Sequence, residues 1–173
     1  HLDVTFIDLD AVEDASLDVI TCHHVLEHVE WPQDFLASIR RKLRTGGLLV
    51  LHVPHEQPLS FLLRDKLRSG EADTACSLYY PVHINGFTSR SLRSSVERQA
   101  FSALDIRDVS MWSRHYDPFF LANYYRGRSL HAAVLKIAKH TLRCSVDNIG
   151  NYLGRGDWVV GHFRAAPTAT ISD

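Results

Sequence analysis

Histidine and glutamate residues are concentrated in one short segment of the chain, Cys22-His23-His24-Val25-Leu26-Glu27-His28. An imidazole titrates near neutral pH, so such residues can transfer a proton or bind a metal. His24, Glu27 and His28 also match H-x-x-E-H, the spacing of one class of zinc peptidases. On a helix His24 and His28 would share a face, which makes a zinc hydrolase one candidate function. Because no third ligand is indicated, we assign no metal and expect Glu27 and His28 to fix the loop by hydrogen bonds.

The predicted elements around this segment form a strand–helix–strand unit. Val19–Cys22 and Leu48–Val53 are runs of apolar and β-branched residues, which is typical of strands buried on both faces. The helix between them is predicted to begin near Pro32 and to end at Gly46-Gly47, because proline suits a first helical turn and glycine often follows a last one. Such a unit requires a parallel strand pair with a right-handed crossover, so the expected fold class is α/β.

Histidine residues follow both predicted strands at the point where each strand ends. Ligands of an open parallel sheet bind beyond the carboxyl ends of its strands, and neighbouring strands lie about 4.8 Å apart. We therefore expect His23 and His24 to lie beside His55 and Glu56. The candidate general bases are His24, His55 and His83, because a histidine near neutral pH can take a proton from an oxygen nucleophile.

The remainder of the chain alternates between periodic and irregular segments. Residues 112–128 are rich in aromatic side chains and are expected either to join the core or to cover a bound substrate. The other predicted elements are a strand at Val4–Ile7, helices at Leu59–Leu67 and 129–142, a helix capped by Thr88 or Ser89 with Leu92, Val96 and Ala100 on one face, and strands at Ala103–Met111 and Trp158–Phe163.

Composition excludes several classes of protein. The net charge of −1 gives no basic excess for nucleic-acid binding. No apolar run approaches the roughly 20 residues that cross a bilayer, so stable membrane insertion is not expected. The three cysteines, Cys22, Cys76 and Cys144, contain no C-x-x-C pair, which predicts reduced thiols in a cytoplasmic protein. The sequence does not indicate an oligomeric state.

Several segments occur in an order and spacing that point to one family. They are Ser16–Ile20, Val25–Val29 with Pro32, Gly46–Pro54, His83–Leu92 and Phe101–Val109. Together they resemble the class I S-adenosylmethionine-dependent methyltransferases, in particular the small-molecule group that includes the ubiquinone-biosynthesis O-methyltransferases. The resemblance implies an enzyme with S-adenosylmethionine as cofactor that methylates a small-molecule acceptor, such as a sugar, a quinone or a lipid-linked compound.

The resemblance also implies an architecture. The chain would form a Rossmann-like sheet with an antiparallel C-terminal strand, in a partial methyltransferase domain at residues 1–164 followed by a disordered tail at 165–173. Residues 112–156 would contain an insertion that covers the substrate. No segment matches the family's first strand and its G-x-G-x-G loop, so the sheet is expected to lack its first strands. We therefore expect residues 1–173 alone to be inactive, and a non-catalytic binding module is the alternative function.

The cofactor-binding residues that the resemblance implies lie in two places. Thr21, Cys22 and His23 stand where the family contacts its cofactor after a central strand. Either Asp8 or Asp10 would be the acidic residue near the adenine, and their spacing does not distinguish them.

Overall fold

The computed structural model describes residues 8–67, 82–110 and 130–167. Its described strands form a single mixed sheet in the spatial order β1-β2-β4-β3. Strands β1 and β2 are parallel, whereas β4 is antiparallel to both β2 and β3. The strands are β1 at Leu17–His23, β2 at Leu43–Pro54, β3 at Phe101–Val109 and β4 at Trp158–Ala165. This arrangement confirms the α/β fold and the antiparallel C-terminal strand.

Four α-helices connect or flank these strands within the described residues. They are α1 at Pro32–Lys42, α2 at Leu59–Leu67, α3 at Ser89–Glu97 and α4 at Leu130–Tyr152. Two short 3-10 turns, at Leu9–Ala11 and Leu26–His28, precede β1 and α1. The predicted strand at Val4–Ile7, the aromatic segment 112–128 and most of the predicted tail lie outside the described residues.

The sheet has one buried face, because side chains alternate along each strand. In β2, Leu49, Leu51 and Val53 are fully buried. Helices α1 and α3 cover this face, and a fully buried leucine contributes about 1.5–3 kcal/mol to stability. The helical residues in this core are Leu36, Ile39, Leu92 and Val96. On the opposite face, Val50 and His52 remain partly exposed.

The end of helix α1 differs from the prediction. The helix ends at Lys42, where Leu43 is already extended, and the two glycines lie inside β2 instead of capping the helix. Gly46 has φ +82° in the stretch where the register between β1 and β2 shifts. A Cβ on Gly47 would lie 2.9 Å from the carbonyl oxygen of Arg44. These glycines therefore permit an irregular strand, and the predicted helix was too long.

Two further helix boundaries also differ. Ala100 was predicted on the buried face of α3 but lies beyond its end, with φ +55°. Helix α4 continues ten residues beyond the predicted end at 142 and contacts α2 and β3. Part of the predicted insertion at 112–156 is therefore a long helix.

In the described ranges no helix combines the length and apolar character that a membrane crossing needs.

Thr88 caps α3, the helix that precedes β3, and removal of its hydroxyl should lower the stability of the protein. Its hydroxyl accepts a hydrogen bond from the Ser91 N–H at 3.1 Å, and the Ser91 hydroxyl accepts one from the Thr88 N–H. We expect Thr88→Ala to lower the free energy of unfolding by about 1 kcal/mol in urea denaturation. Ser102→Ala, at an exposed position of β3, is the control. Equal losses in the two variants would contradict the capping role.

Candidate functional site

The carboxyl ends of β1 and β2 place two histidines side by side. His23 and His52 are register partners in the parallel pair. Their Nδ1 atoms lie 2.9 Å apart, and their ring centroids are separated by 4.4 Å. A hydrogen bond between two such nitrogens requires one to carry a proton and the other to accept it. The sheet register thus creates a proton-sharing pair at the edge predicted for ligand binding.

His24 directs a third ring toward this pair. Its φ is +52°, a left-handed conformation that is uncommon outside glycine, and its N–H donates to the carbonyl oxygen of His52 at 3.0 Å. The imidazole lies 4.9 Å from that of His52 and meets the edge of Trp158 at 4.6 Å, centroid to centroid. Non-glycine residues held in this region are enriched at functional sites.

These rings form one end of a cavity of about 520 Å³ on the face of the sheet opposite α1 and α3. Ligand pockets for small molecules commonly measure about 300–1,000 Å³. Its lining combines apolar side chains and histidines with an ion pair, in which Asp105 contacts Arg107 at 2.7 Å. The lining residues are His23, His24, Val50, His52, Asp105, Arg107, Val109, Trp158, Val160 and His162. The cavity can therefore hold a small molecule with both apolar and polar parts.

The environment of His52 keeps its ring neutral. Burial, with a further contribution from His23 and His24, lowers the pKa of His52 to about 4. At neutral pH this ring offers one N–H donor and one nitrogen lone pair. Its lone pair is therefore available to accept a hydrogen bond or to bind an electrophile, although burial makes the ring a weak base.

Glu27 orients His24 from beneath. Its side chain is fully buried, and its Oε1 lies 3.1 Å from Nδ1 of His24 and 3.9 Å from Nε2 of His28. The main-chain carbonyl of Glu27 accepts hydrogen bonds from the N–H groups of Ile84 and Asn85. The expectation that Glu27 takes part in hydrogen bonds is consistent with these contacts.

The helical geometry assumed for a zinc hydrolase is absent from this segment. Leu26–His28 is a single 3-10 turn, so His24 and His28 do not occupy successive turns of one α-helix. His24 contacts His52 and Trp158, whereas His28 contacts His83 at 4.7 Å between ring centroids. The two histidines therefore belong to different clusters.

His55 lies apart from the cavity, and the prediction that it neighbours His23 is wrong. The register pairs His23 with His52, three residues before His55. His55 is 3% exposed, its Nδ1 accepts the N–H of Gln57, and its Nε2 lies 3.5 Å from Oδ1 of Asp108. Asp108 also accepts the hydroxyl of Ser89 at 2.6 Å. This buried contact ties the end of β2 to β3 and α3.

The predicted cofactor residues occupy three environments. Thr21 and His23 are exposed on β1, on the same face as the cavity. Cys22 points to the opposite face, where burial raises the pKa of its thiol to about 11. Asp8 and Asp10 are exposed beside the 3-10 turn that precedes β1. The structure thus brings His23 and His24 together and leaves His83 beside His28.

Several cavity residues were not predicted from the sequence. His52, Trp158 and His162 line the cavity, but all three were read only as parts of strands. The available signal was the two-residue alternation, which puts His52 on the face of Val50, and Trp158 on the face of Val160 and His162. Choosing between the two faces required knowledge of which one the helices cover.

Comparison with known proteins identifies a family from the sequence and a shared fold from the structure. A sequence profile of a family described as a methyltransferase domain matches residues 1–106. The mitochondrial ubiquinone biosynthesis O-methyltransferase of Schizosaccharomyces pombe is 48% identical over 48 residues, which are 28% of this chain and 18% of that protein.

Three solved structures share the fold. The (4+2)-cyclase SpnF is 17% identical, with a TM-score of 0.50 over 94% of this chain and 56% of its own. A chain in the complex of the Haloferax volcanii Trm112 methyltransferase activator with a methyltransferase is 12% identical, with a TM-score of 0.52; the match covers 93% of this chain and 60% of that one. A SAM-dependent methyltransferase from Archaeoglobus fulgidus is 14% identical, with a TM-score of 0.50; the match covers 90% of this chain and 62% of that one. The chain therefore spans 56–62% of the length of these proteins.

The buried position of His55 predicts a loss of stability in acid. Burial lowers the pKa of His55, and Arg155 adds to this, although Asp108 acts in the opposite direction. The folded protein then binds fewer protons at His55 than the unfolded chain does. The free energy of unfolding should therefore fall as pH decreases below the ordinary histidine pKa of about 6.5.

Urea denaturation across this pH range measures the effect. His55→Gln should give a shallower dependence of the free energy of unfolding on pH. Ser102→Ala, which removes no titratable group from an exposed position of β3, should retain the wild-type dependence. An unchanged slope in His55→Gln would refute the assignment.

Proposed function

The chain belongs to the class I S-adenosylmethionine-dependent methyltransferases, and we propose that it transfers a methyl group from S-adenosylmethionine to a small-molecule acceptor. The observation that carries the proposal is the cavity of about 520 Å³ on the open face of the sheet, whose end with the three imidazoles lies at the carboxyl ends of β1 and β2. This is where open α/β sheets bind their ligands. An acceptor such as a phenol, a sugar or a quinol has the size and mixed polarity of this cavity.

The cavity also suits the methyl donor, which has an apolar part and charged groups. We propose that Thr21 and His23 contact it at the end of β1, and that Cys22 contributes through its backbone because its thiol lies in the core. Asp8 or Asp10 would hold its nucleoside. When bound, S-adenosylmethionine supplies a methyl carbon whose bond to sulfur breaks, with the electron pair passing to sulfur.

His24 is the base that we propose for an acceptor hydroxyl. With Nδ1–H donating to the Glu27 carboxylate at 3.1 Å, Nε2 carries the lone pair that accepts the proton. The carboxylate fixes the ring orientation and balances the positive charge that the ring gains, as an acidic residue does in other histidine-based sites. His55 and His83 lie in other contacts, so we assign them to holding the surrounding segments.

Donor binding tests the proposal directly. We expect the protein, expressed together with any residues that precede His1 in its natural form, to bind S-adenosylmethionine and S-adenosylhomocysteine in titration calorimetry. Trp158→Leu, which removes the ring beside His24 and His52, should weaken binding, because the ring forms part of the cavity wall. A protein that folds but binds neither compound would support the non-catalytic binding module instead.

Residues 1–173 alone are expected to transfer no methyl group. They contain no G-x-G-x-G segment, whose backbone would approach the donor closely. Donor binding or methyl transfer by residues 1–173 alone would contradict this expectation without affecting the family assignment.

The role of His24 is tested by His24→Asn. Asparagine tolerates the left-handed backbone at φ +52° but cannot accept the proton, so the rate of methyl transfer to a hydroxyl should fall by about 10²–10⁴. The measurement uses a labelled methyl donor with a panel of phenols and polyols. Binding of S-adenosylhomocysteine should change little, and His162→Asn is the control within the same cavity. An undiminished rate in His24→Asn would exclude it as the base.

A further inference from the structure

The three imidazoles at the end of the cavity have a second use that does not depend on methyl transfer. One ring nitrogen from each of His23, His24 and His52 lies within 4.8 Å of one from each of the others. We propose that these histidines bind a divalent ion of borderline softness, with Zn²⁺ as the first candidate. Imidazole nitrogens suit zinc, copper and nickel, whereas magnesium and calcium prefer oxygen ligands.

The spacing of the rings is close to what such an ion requires. Zn–N bonds of about 2.0–2.1 Å in a tetrahedron place two nitrogens about 3.3 Å apart. The Nδ1 atoms of His23 and His52 are already 2.9 Å apart, so the rings need to separate by only about 0.4 Å when the shared proton is replaced by a metal. One ring nitrogen of His24 lies within 4.8 Å of the other two, so it must approach by at most about 1.5 Å, which a small rotation of this exposed side chain would supply.

Glu27 supplies the outer contact that histidine–metal sites commonly have. A histidine that binds a metal usually donates its other ring N–H to a carboxylate, which fixes the tautomer and strengthens the ligand. Nδ1 of His24 is 3.1 Å from the fully buried carboxylate of Glu27, so Nε2 is the nitrogen available to the ion. A buried carboxylate in this position also offsets part of the ion's charge.

The position of the three rings favours this use further. The ion would have three protein ligands and a fourth position facing the cavity, as in zinc sites that keep one position for water or a ligand atom. Since the ion would take the lone pair of Nε2 of His24, metal binding would compete with the proton transfer proposed for that residue.

A second cluster provides an internal control. One ligand atom from each of Glu27, His28 and His83 also lies within 4.8 Å of the others, so this cluster could hold an ion in place of the first. Glu27 belongs to the second cluster and contacts His24 of the first, but the two clusters have no member in common and can be separated by substitution. His52 belongs to the first cluster alone, and His83 belongs to the second alone.

The test is a zinc titration of metal-free protein in competition with a chromogenic chelator, repeated with Co²⁺ to read the coordination geometry from the visible spectrum. His23→Asn and His52→Asn should each weaken zinc binding by at least about 10- to 100-fold, because even an outer-shell partner has an effect of that size. His162→Asn, in the same cavity, and His83→Asn should bind zinc like the wild type. Zinc should also raise the melting temperature of the wild type more than that of His23→Asn.

Two results would overturn the proposal. One is a wild-type protein that binds zinc no more tightly than the His23→Asn/His52→Asn double variant. The other is zinc binding that is lost in His83→Asn and retained in His52→Asn, which would place the ion in the second cluster. Because His23 is exposed on β1, His23→Asn is expected to fold, and circular dichroism of the metal-free variants verifies this. Donor binding by the wild type is measured separately, so failure of the metal site and failure of the proposed function remain distinguishable.

Discussion

The two-residue period of β2 is the constraint on which both the core and the cavity depend. This strand pairs with β1 on one side and with β4 on the other, so its register fixes both neighbours. Leu51 is fully buried under the helices, whereas His52 faces the cavity. A shift of one residue would put the imidazole into the core and the leucine on the open face. The energy of burying the aliphatic side chains therefore also determines where the histidine points.

The buried carboxylate of Glu27 is the second element that holds the site together. Burying a charged group is costly unless charged or polar partners compensate it, and here His24 and His28 lie on either side of one oxygen. The backbone of Glu27 joins this turn to residues 84–85, which precede α3. Because the same residue connects backbone and side chains, the orientation of His24 depends on how the segment before α3 is placed. The site is thus coupled to the fold through polar contacts as well as through the core.

The sequence predicted the elements with strong local signals and missed those set by pairing. The strand at Val19–Cys22 and the helix starting at Pro32 were found because apolar runs and an N-terminal proline act locally. The predicted end of α1 was wrong, because Gly46 lies at an irregular stretch of β2. This irregularity is a shift of register between β1 and β2, so it depends on the pairing of the two strands. For the same reason the sequence pattern indicates His55 as the neighbour of His23, whereas the register pairs His23 with His52. Strand ends can be estimated from composition, but register is a relation between two distant segments.

The fold and the cavity histidines support different parts of the proposed function. The similar structures include a cyclase as well as methyltransferases, so the sheet alone does not specify a reaction. The groups that a reaction could use are the cavity histidines: burial, with His23 and His24, holds the pKa of His52 near 4, and Glu27 lies 3.1 Å from His24. An imidazole with an available lone pair can accept a proton or bind an ion. The chemistry therefore follows from two rings that the sheet register pairs on adjacent strands and a third ring from the residue that follows β1.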